Sequence, residues 1–312
     1  MSAPDLSAAT TTAICVLATT LWSAPDAVRE ADGPIVAPAP DPRGWAAGLD
    51  VPARRDLHGR VLTQLLLGEP VEVVEERAGW LKILALWQPS DLDPRGYPGW
   101  VPRAHVAAAP APSDREAVVA VEAAPLRERP ESGSILTEAS YATVLAVREE
   151  SRVGVRVGLP GGLDGWLDTS ACVVRPSGAG RSVANQGAPA AGQAVLSAAR
   201  RFVGLPYLWG GMSAFGLDCS GLVHLTFRAL GRIVPRDAHD QAAAAKRIPA
   251  GQARPGDLYF FARPGKPVHH VGIAAGEEQA MLHAPGTGAY VVEERLTDER
   301  RGTLVPDAGR FA

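Results

Sequence analysis

Cys219 stands in the stretch LDCSGLVHLTFRALG, residues 217–231, flanked by Asp218 and Ser220 and followed by Leu222, Val223, Thr226, Phe227 and Leu230 at helical spacing. That periodicity predicts a helix whose first turn holds the sulfur. Unpaired backbone N–H groups and the positive end of the helix dipole favour a thiolate there, the form of cysteine that attacks carbonyl carbon. A thiolate of this kind needs a base that can also protonate a leaving amine, and histidine suits both tasks near neutral pH.

Seven histidines compete for that role. His58 and His105 lie among charged or turn residues and read as solvated surface. His224 sits five residues after Cys219, rotated to another face of the helix, and reads as exposed or structural. His239 lies in the loop-like PRDAHDQ without an assigned role, and Arg236, Asp237 and Gln241 around it read either as a loop bordering the cleft or as solvated or supporting groups. His269, His270 and His283 fall on expected strands. Alternation lets only one of His269 and His270 face the helix, and the small neighbours Gly272 and Ala274 favour His270. His283 could then bond the far ring nitrogen of His270 and fix its tautomer.

The elements that must position these groups can be read from texture. GEPVEVVEERAGWLKI, residues 68–83, alternates apolar and polar residues as half-buried strands do, and a further short strand begins at Gly99 and Trp100. ATVLAVREESRVGVRV, residues 142–157, repeats the alternation and ends at Gly165 and Trp166. The lead-in runs AICVLATTLWSAP from Ala13 and AVVAVEAAPLRERP from Ala117 also match, so two copies of one small β unit are expected. Trp80, Trp100 and Trp166 read as barrel core. The stretch 177–193, rich in Gly, Ala, Pro and Ser without period, reads as a linker. From Ala194 a helix, a Tyr207–Gly211 loop, the Cys219 helix and then strand-like DLYFFA, HHVGIAAG and QAMLHA give helices first and strands after, an α+β order.

The 312 residues leave room for two or three domains, and 31 basic against 34 acidic side chains suggest neither nucleic acid nor a charged membrane surface as partner. Three widely spaced cysteines without a CxxC pair argue against a disulfide framework or a structural zinc, so neither metal nor cofactor is expected. The first 22 residues carry no basic side chain ahead of a short apolar run. As written they resemble neither a secretory signal nor a membrane span, and a cytoplasmic protein is expected.

The segments YLWGG (207–211), LDCSGLV (217–223), RPGDLYFF (254–261), HHVGIAAG (269–276) and MLHA (281–284) together resemble the motif series of the NlpC/p60 cysteine peptidases, in the family's order. The resemblance spans roughly the last 115 residues, and His270 and His283 follow Cys219 at 51 and 64 residues. It implies a papain-like α+β domain at 194–312 with Cys219 as nucleophile, His270 as base and His283 as the residue that orients it. Tyr207 lines the site in that family, and Asp218 and Ser220 join it as substrate-binding residues. The Gly-Trp ends of the β units resemble bacterial SH3-like (SH3b) barrels, placed at 1–110 and 115–176.

LLLGEPVEV (65–73) and GYPGW (96–100) resemble the first barrel of the branch that cleaves γ-D-glutamyl-L-diamino acid bonds of murein stem peptides. By that resemblance Glu69 and Tyr97 bind the substrate's free amino group with Asp218 adding charge, stems still attached to glycan are rejected, and the work is recycling. Two other readings stay open: a non-catalytic binder of cell-wall peptide, and a thiol amidase or acyltransferase. The preferred diamino acid and the oligomeric state are not fixed by the sequence.

Overall fold

The fold is a computed structural model that describes residues 11–178, 192–276 and 279–311. The opening ten residues and most of the expected linker, 179–191, lie outside the described residues. The chain divides into two compact units. One holds the residues up to Gly48 together with Gly59–Trp87 and Arg95–Ser177, and the other holds Leu49–His58, Gln88–Pro94 and the residues from Gly178 onward.

The first unit contains the two small barrels. Strands β1 (Thr12–Ile14), β2 (Ala18–Trp22), β3 (Val61–Leu66), β4 (Pro70–Arg77), β5 (Trp80–Ala85), β6 (Tyr97–Pro102) and β7 (Val106–Ala108) pair in the order β3-β2-β6-β5-β4-β1-β7. Strands β8 (Arg115–Val119), β9 (Ala123–Arg127), β10 (Ile135–Ser140), β11 (Val144–Ser151), β12 (Gly154–Gly158), β13 (Asp164–Leu167) and β14 (Cys172–Pro176) repeat that order strand for strand. Even the bulges recur, at Val73/Glu75 against β5 and at Val147/Glu149 against β12. Each lead-in run, expected as one strand, is two. The chain breaks after Ile14 and after Val119 because its first half pairs with β4 or β11 while its second half crosses to β3 or β10, which curls the sheet onto itself. The β4–β5 turn uses Ala78 and Gly79, both at positive φ, as a two-residue hairpin of matching twist requires.

Helices α1 (Gly33–Val36) and α2 (Pro42–Gly48) interrupt the first barrel between β2 and β3, and α3 (Val51–Arg55) follows within the second unit. His105, read from sequence as solvated, is instead fully buried. One ring nitrogen bonds Thr19 Oγ1 at 2.7 Å and the other the Ala37 carbonyl at 2.7 Å, so it joins the barrel to the segment after α1.

The second unit opens with α4 (Gly192–Arg200) and the short pair β15 (Met212–Ser213) and β16 (Gly216–Leu217), followed by α5 (Cys219–Ala229) and α6 (Ala238–Ala244). Strands β17 (Lys246–Pro249), β18 (Leu258–Ala262), β19 (Val268–Ala274), β20 (Ala280–His283), β21 (Val292–Arg295) and β22 (Asp307–Arg310), with α7 (Asp298–Arg301) before the last, form an antiparallel sheet ordered β17-β22-β18-β19-β20-β21. This is the α+β arrangement expected. Helix α5 is buried on every side from Cys219 to Arg228, as suits a helix enclosed in a core. His239 lies on α6, not in a loop. No helix among the described residues is long and apolar enough to cross a membrane.

Candidate active site

Cys219 is the first residue of α5, as the sequence predicts. Asp218 is its N-cap, and its carboxylate accepts the Gly221 N–H at 2.6 Å. The glycine of the Cys-Ser-Gly sequence has a steric reason: a Cβ on Gly221 would lie 2.2 Å from the Gly211 carbonyl oxygen. The Tyr207–Gly211 loop therefore seats directly against the helix start. Gly210, at φ 71°, donates its N–H to the other Asp218 oxygen at 2.9 Å.

Arg236 completes this cluster. Its Nη1 donates to Asp218 Oδ1 at 3.0 Å and to Ser220 Oγ at 2.9 Å, and its Nη2 donates to Asp218 Oδ2 at 2.6 Å. With the Ser220 hydroxyl also donating at 3.3 Å, the two Asp218 oxygens receive five hydrogen bonds, which leaves no lone pair for a substrate ammonium. These bonds give Asp218 a structural role at the start of α5. Ser220 is likewise held by Arg236, and Arg236 itself, read as solvated or supporting, is fully buried. Gln241 is buried too, donating from Nε2 to the Ser220 and Pro235 carbonyls at 3.0 and 2.9 Å, so α6 braces the start of α5.

The sulfur's surroundings add burial to the helix-start position read from the sequence. Burial pushes the Cys219 thiol up to about 12, and the Asp218 charge adds to that rise. The Val271 N–H, the Arg236 charge and the Ser220 N–H pull the other way without overcoming it. Burial thus favours the thiol over the thiolate, so a neighbouring base that takes the proton would matter to its reactivity. The hydrogen bond with Val271 puts the sulfur beside β19, immediately after His270. Tyr207, 6% exposed, lies beside Cys219 and Asp218, and burial pushes its phenol up.

On β19, His269 is exposed and His270 is buried. From His270 to Ala274 both faces of this strand are covered, and His270, the histidine favoured by its small neighbours, is the buried one. His270 is paired directly opposite Phe261 of β18, with ring centroids 5.5 Å apart. Its Nε2 lies 2.9 Å from His283 Nδ1, and His283 Nε2 lies 3.0 Å from Glu294 Oε1. The register Ile273↔Leu282 and Met281↔Glu294 makes each step a diagonal one, so the three side chains climb across β19, β20 and β21 on one face. Gly272 leaves room for this: a Cβ there would sit 2.7 Å from Met281 Sδ and 3.1 Å from His283 Cβ. Burial holds His270 and His283 below the usual imidazole range. For His270 the His283 and Arg300 charges add to that, and for His283 the Arg300 charge adds while Glu294 opposes.

Glu294 was not singled out from sequence. The signal was present in the YVVEE strand but ambiguous, since two adjacent glutamates point to opposite faces: Glu293 makes a bidentate pair with Arg200 of α4 at 2.7 and 2.8 Å, and Glu294 meets His283. His224, on α5, is fully buried, and burial pushes its imidazole down to about 3. His58 is exposed as expected, its ring 4.1 Å from that of Trp209.

Glu69 and Tyr97 belong to the first unit. Glu69 is buried in the β3–β4 turn, where its Oε1 accepts the Leu66 N–H at 2.8 Å. Tyr97 opens β6 and is 5% exposed within the first barrel's core.

Residues 204–301 match the NlpC/P60 family and residues 53–107 match the bacterial SH3 domain. A γ-D-glutamyl-L-lysine dipeptidyl-peptidase of Bacillus subtilis is 35% identical over 284 residues, covering 89% of this chain and 91% of its own. A protein of the same description from Bacillus cereus is 33% identical over 280 residues, covering 87% of this chain and 82% of its own. The crystal structure of an NlpC/P60 family protein from Bacillus cereus superposes with a TM-score of 0.87 at 30% identity, over 96% of this chain and 99% of that one.

Proposed function

Because this chain belongs to the NlpC/P60 family and is a peptidase of peptidoglycan peptides, we propose that it hydrolyses the γ-D-glutamyl-L-diamino acid bond of murein stem peptides that begin with free L-Ala. The observation that carries the chemistry is the 2.9 Å bond from His283 of β20 to His270 of β19, the strand whose Val271 N–H also meets Cys219. In the proposed mechanism His270 takes the thiol proton as Cys219 attacks the side-chain carbonyl carbon of D-Glu. The imidazolium then gives that proton to the leaving amine as the C–N bond breaks. Water, deprotonated by His270, hydrolyses the thioester and releases the dipeptide. Tyr207 and the backbone N–H groups at the start of α5 are the proposed partners of the oxyanion.

The substrate assignment is supported by the two relatives described as γ-D-glutamyl-L-lysine dipeptidyl-peptidases, since release of a dipeptide requires a peptide with a free amino end. The same proposal keeps Glu69 and Tyr97 as the readers of that amine, as the sequence resemblance implies, and assigns the enzyme to recycling of released peptides. The test is incubation with L-Ala-γ-D-Glu-L-Lys, with its diaminopimelate counterpart and with the N-acetylated form of each, following release of L-Ala-D-Glu. Cleavage of a free peptide and not of its acetylated form is expected. Failure to cleave any of the four would reject the substrate, and equal cleavage of free and acetylated forms would reject the amine requirement.

A further inference from the structure

The hydrogen bonds of the histidine staircase admit two proton arrangements, and only one of them is productive. If His283 carried its proton on Nδ1, it would donate to His270 Nε2, and the His270 proton would then sit on Nδ1. The histidine could not accept a proton from the thiol. If instead His283 carries its proton on Nε2, its Nδ1 accepts from His270 Nε2–H and the Nδ1 lone pair of His270 is free. An ionised carboxylate has no hydrogen to donate, so a carboxylate 3.0 Å from His283 Nε2 permits only the second arrangement.

We propose that Glu294 is a positioning residue that fixes the tautomers of both histidines and so leaves Nδ1 of His270 as the free base for Cys219. His283 is wholly buried and the acceptor its Nε2 meets is the Glu294 carboxylate at 3.0 Å, on a side chain that is itself 38% exposed. The register supports it: Glu294 lies opposite Met281, one diagonal step from His283, and its neighbour Glu293 is committed to Arg200. Among the described residues, the other charged and titratable groups around the pair include Arg300 of α7, His269 of β19 and Cys219 of α5. Arg300 opposes protonation of the histidines, and Glu294 is the group that favours it. When His270 takes the thiol proton, the positive charge of the imidazolium is shared along the staircase toward that carboxylate.

The inference rests on the peptidase reading for its kinetic test but not for its spectroscopic one. In Glu294→Gln the amide can either accept or donate, so both arrangements become available. The expected result is a fall in kcat of about tenfold to hundredfold with KM nearly unchanged, below the ~10⁴-fold loss seen when a group in direct contact with a catalytic histidine imposes the wrong tautomer. The acid limb of the pH profile should move to lower pH, because the charge that favours the protonated pair is gone, and Glu294→Asp should recover part of the loss. In ¹⁵N-histidine spectra of the full chain, His283 should change from Nε2–H in the parent to a mixture in Glu294→Gln. An unchanged His283 signal, or a kcat loss without movement of the acid limb, would overturn the proposal. If the parent protein cleaves none of the peptides, the substrate reading fails while the tautomer measurement still decides this one.

Discussion

Arg236 holds Asp218 with both arms of its guanidinium, at 3.0 and 2.6 Å, and its side chain is 1% exposed. The pair joins three segments: the start of α5, the Tyr207–Gly211 loop and the lead into α6. Removing one partner leaves a buried charge uncompensated, so Arg236→Ala should lower the unfolding free energy by roughly 3–5 kcal/mol. Arg236→Lys should lose less than alanine but should not restore full stability, because an ammonium cannot bond both oxygens in the same plane. Urea unfolding of the three proteins checks the order, and equal stability of Arg236→Ala and the parent would remove the structural role.

Asp218→Asn separates scaffolding from recognition. The amide keeps the shape but leaves Arg236 without its counter-charge, so stability and turnover should both fall. The ratio of free to N-acetylated peptide cleaved should stay that of the parent, because the five donors on Asp218 leave it unable to bind a substrate amine. A collapse of that ratio would return Asp218 to the amine site.

Alkylation should report the resting thiol. With Cys219 pushed up to about 12, its reaction with iodoacetamide in the absence of substrate should keep rising by about tenfold per pH unit between pH 7 and 9, following the thiolate fraction. Mass spectrometry distinguishes this site from Cys15 and Cys172. A plateau below pH 7 would indicate a preformed thiolate.

Acid should destabilise the fold through its histidines before its carboxylates titrate. His105, His224, His270 and His283 are all held below the imidazole value of the unfolded chain, so between pH 6.5 and about 5 the unfolded state binds more protons than the folded one. The stability they contribute is fully present above pH 6.5 and falls as pH drops, by up to about 1.4 kcal/mol per pH unit for each group. Asp240, pushed up by burial, acts in the opposite sense at lower pH. Urea midpoints at pH 7, 6 and 5 should therefore decrease, and replacing His224 with leucine should flatten the slope. A flat series would contradict the burial argument.

Gly272→Ala should damage the site more than the fold. The added methyl would meet Met281 Sδ and His283 Cβ, displacing the histidine that orients His270. We expect turnover to fall at least about tenfold, as misplacement of a supporting group by an ångström commonly does. Adding Met281→Ala should recover part of it by giving the methyl room, and an unaffected single variant would show that β20 adjusts freely.

The sequence by itself determined the main elements and brought the candidate reacting groups forward. Alternation in 68–83 and 142–157 announced the repeated barrel, and apolar spacing after Cys219 announced α5, because strand and helix periods are local properties that packing reinforces. The motif series also brought Cys219, His270 and His283 forward. Long-range structure decided how those groups are held. Whether Glu293 or Glu294 faces His283 depends on the register of β20 against β21, and whether Asp218 binds substrate or Arg236 depends on where α6 lies. The charge state of Cys219 shows the division most clearly. Its place at a helix start is written in the sequence and argues for a thiolate, but the depth of burial that raises its pKa exists only once Val271, Tyr207 and Asp218 have closed around it.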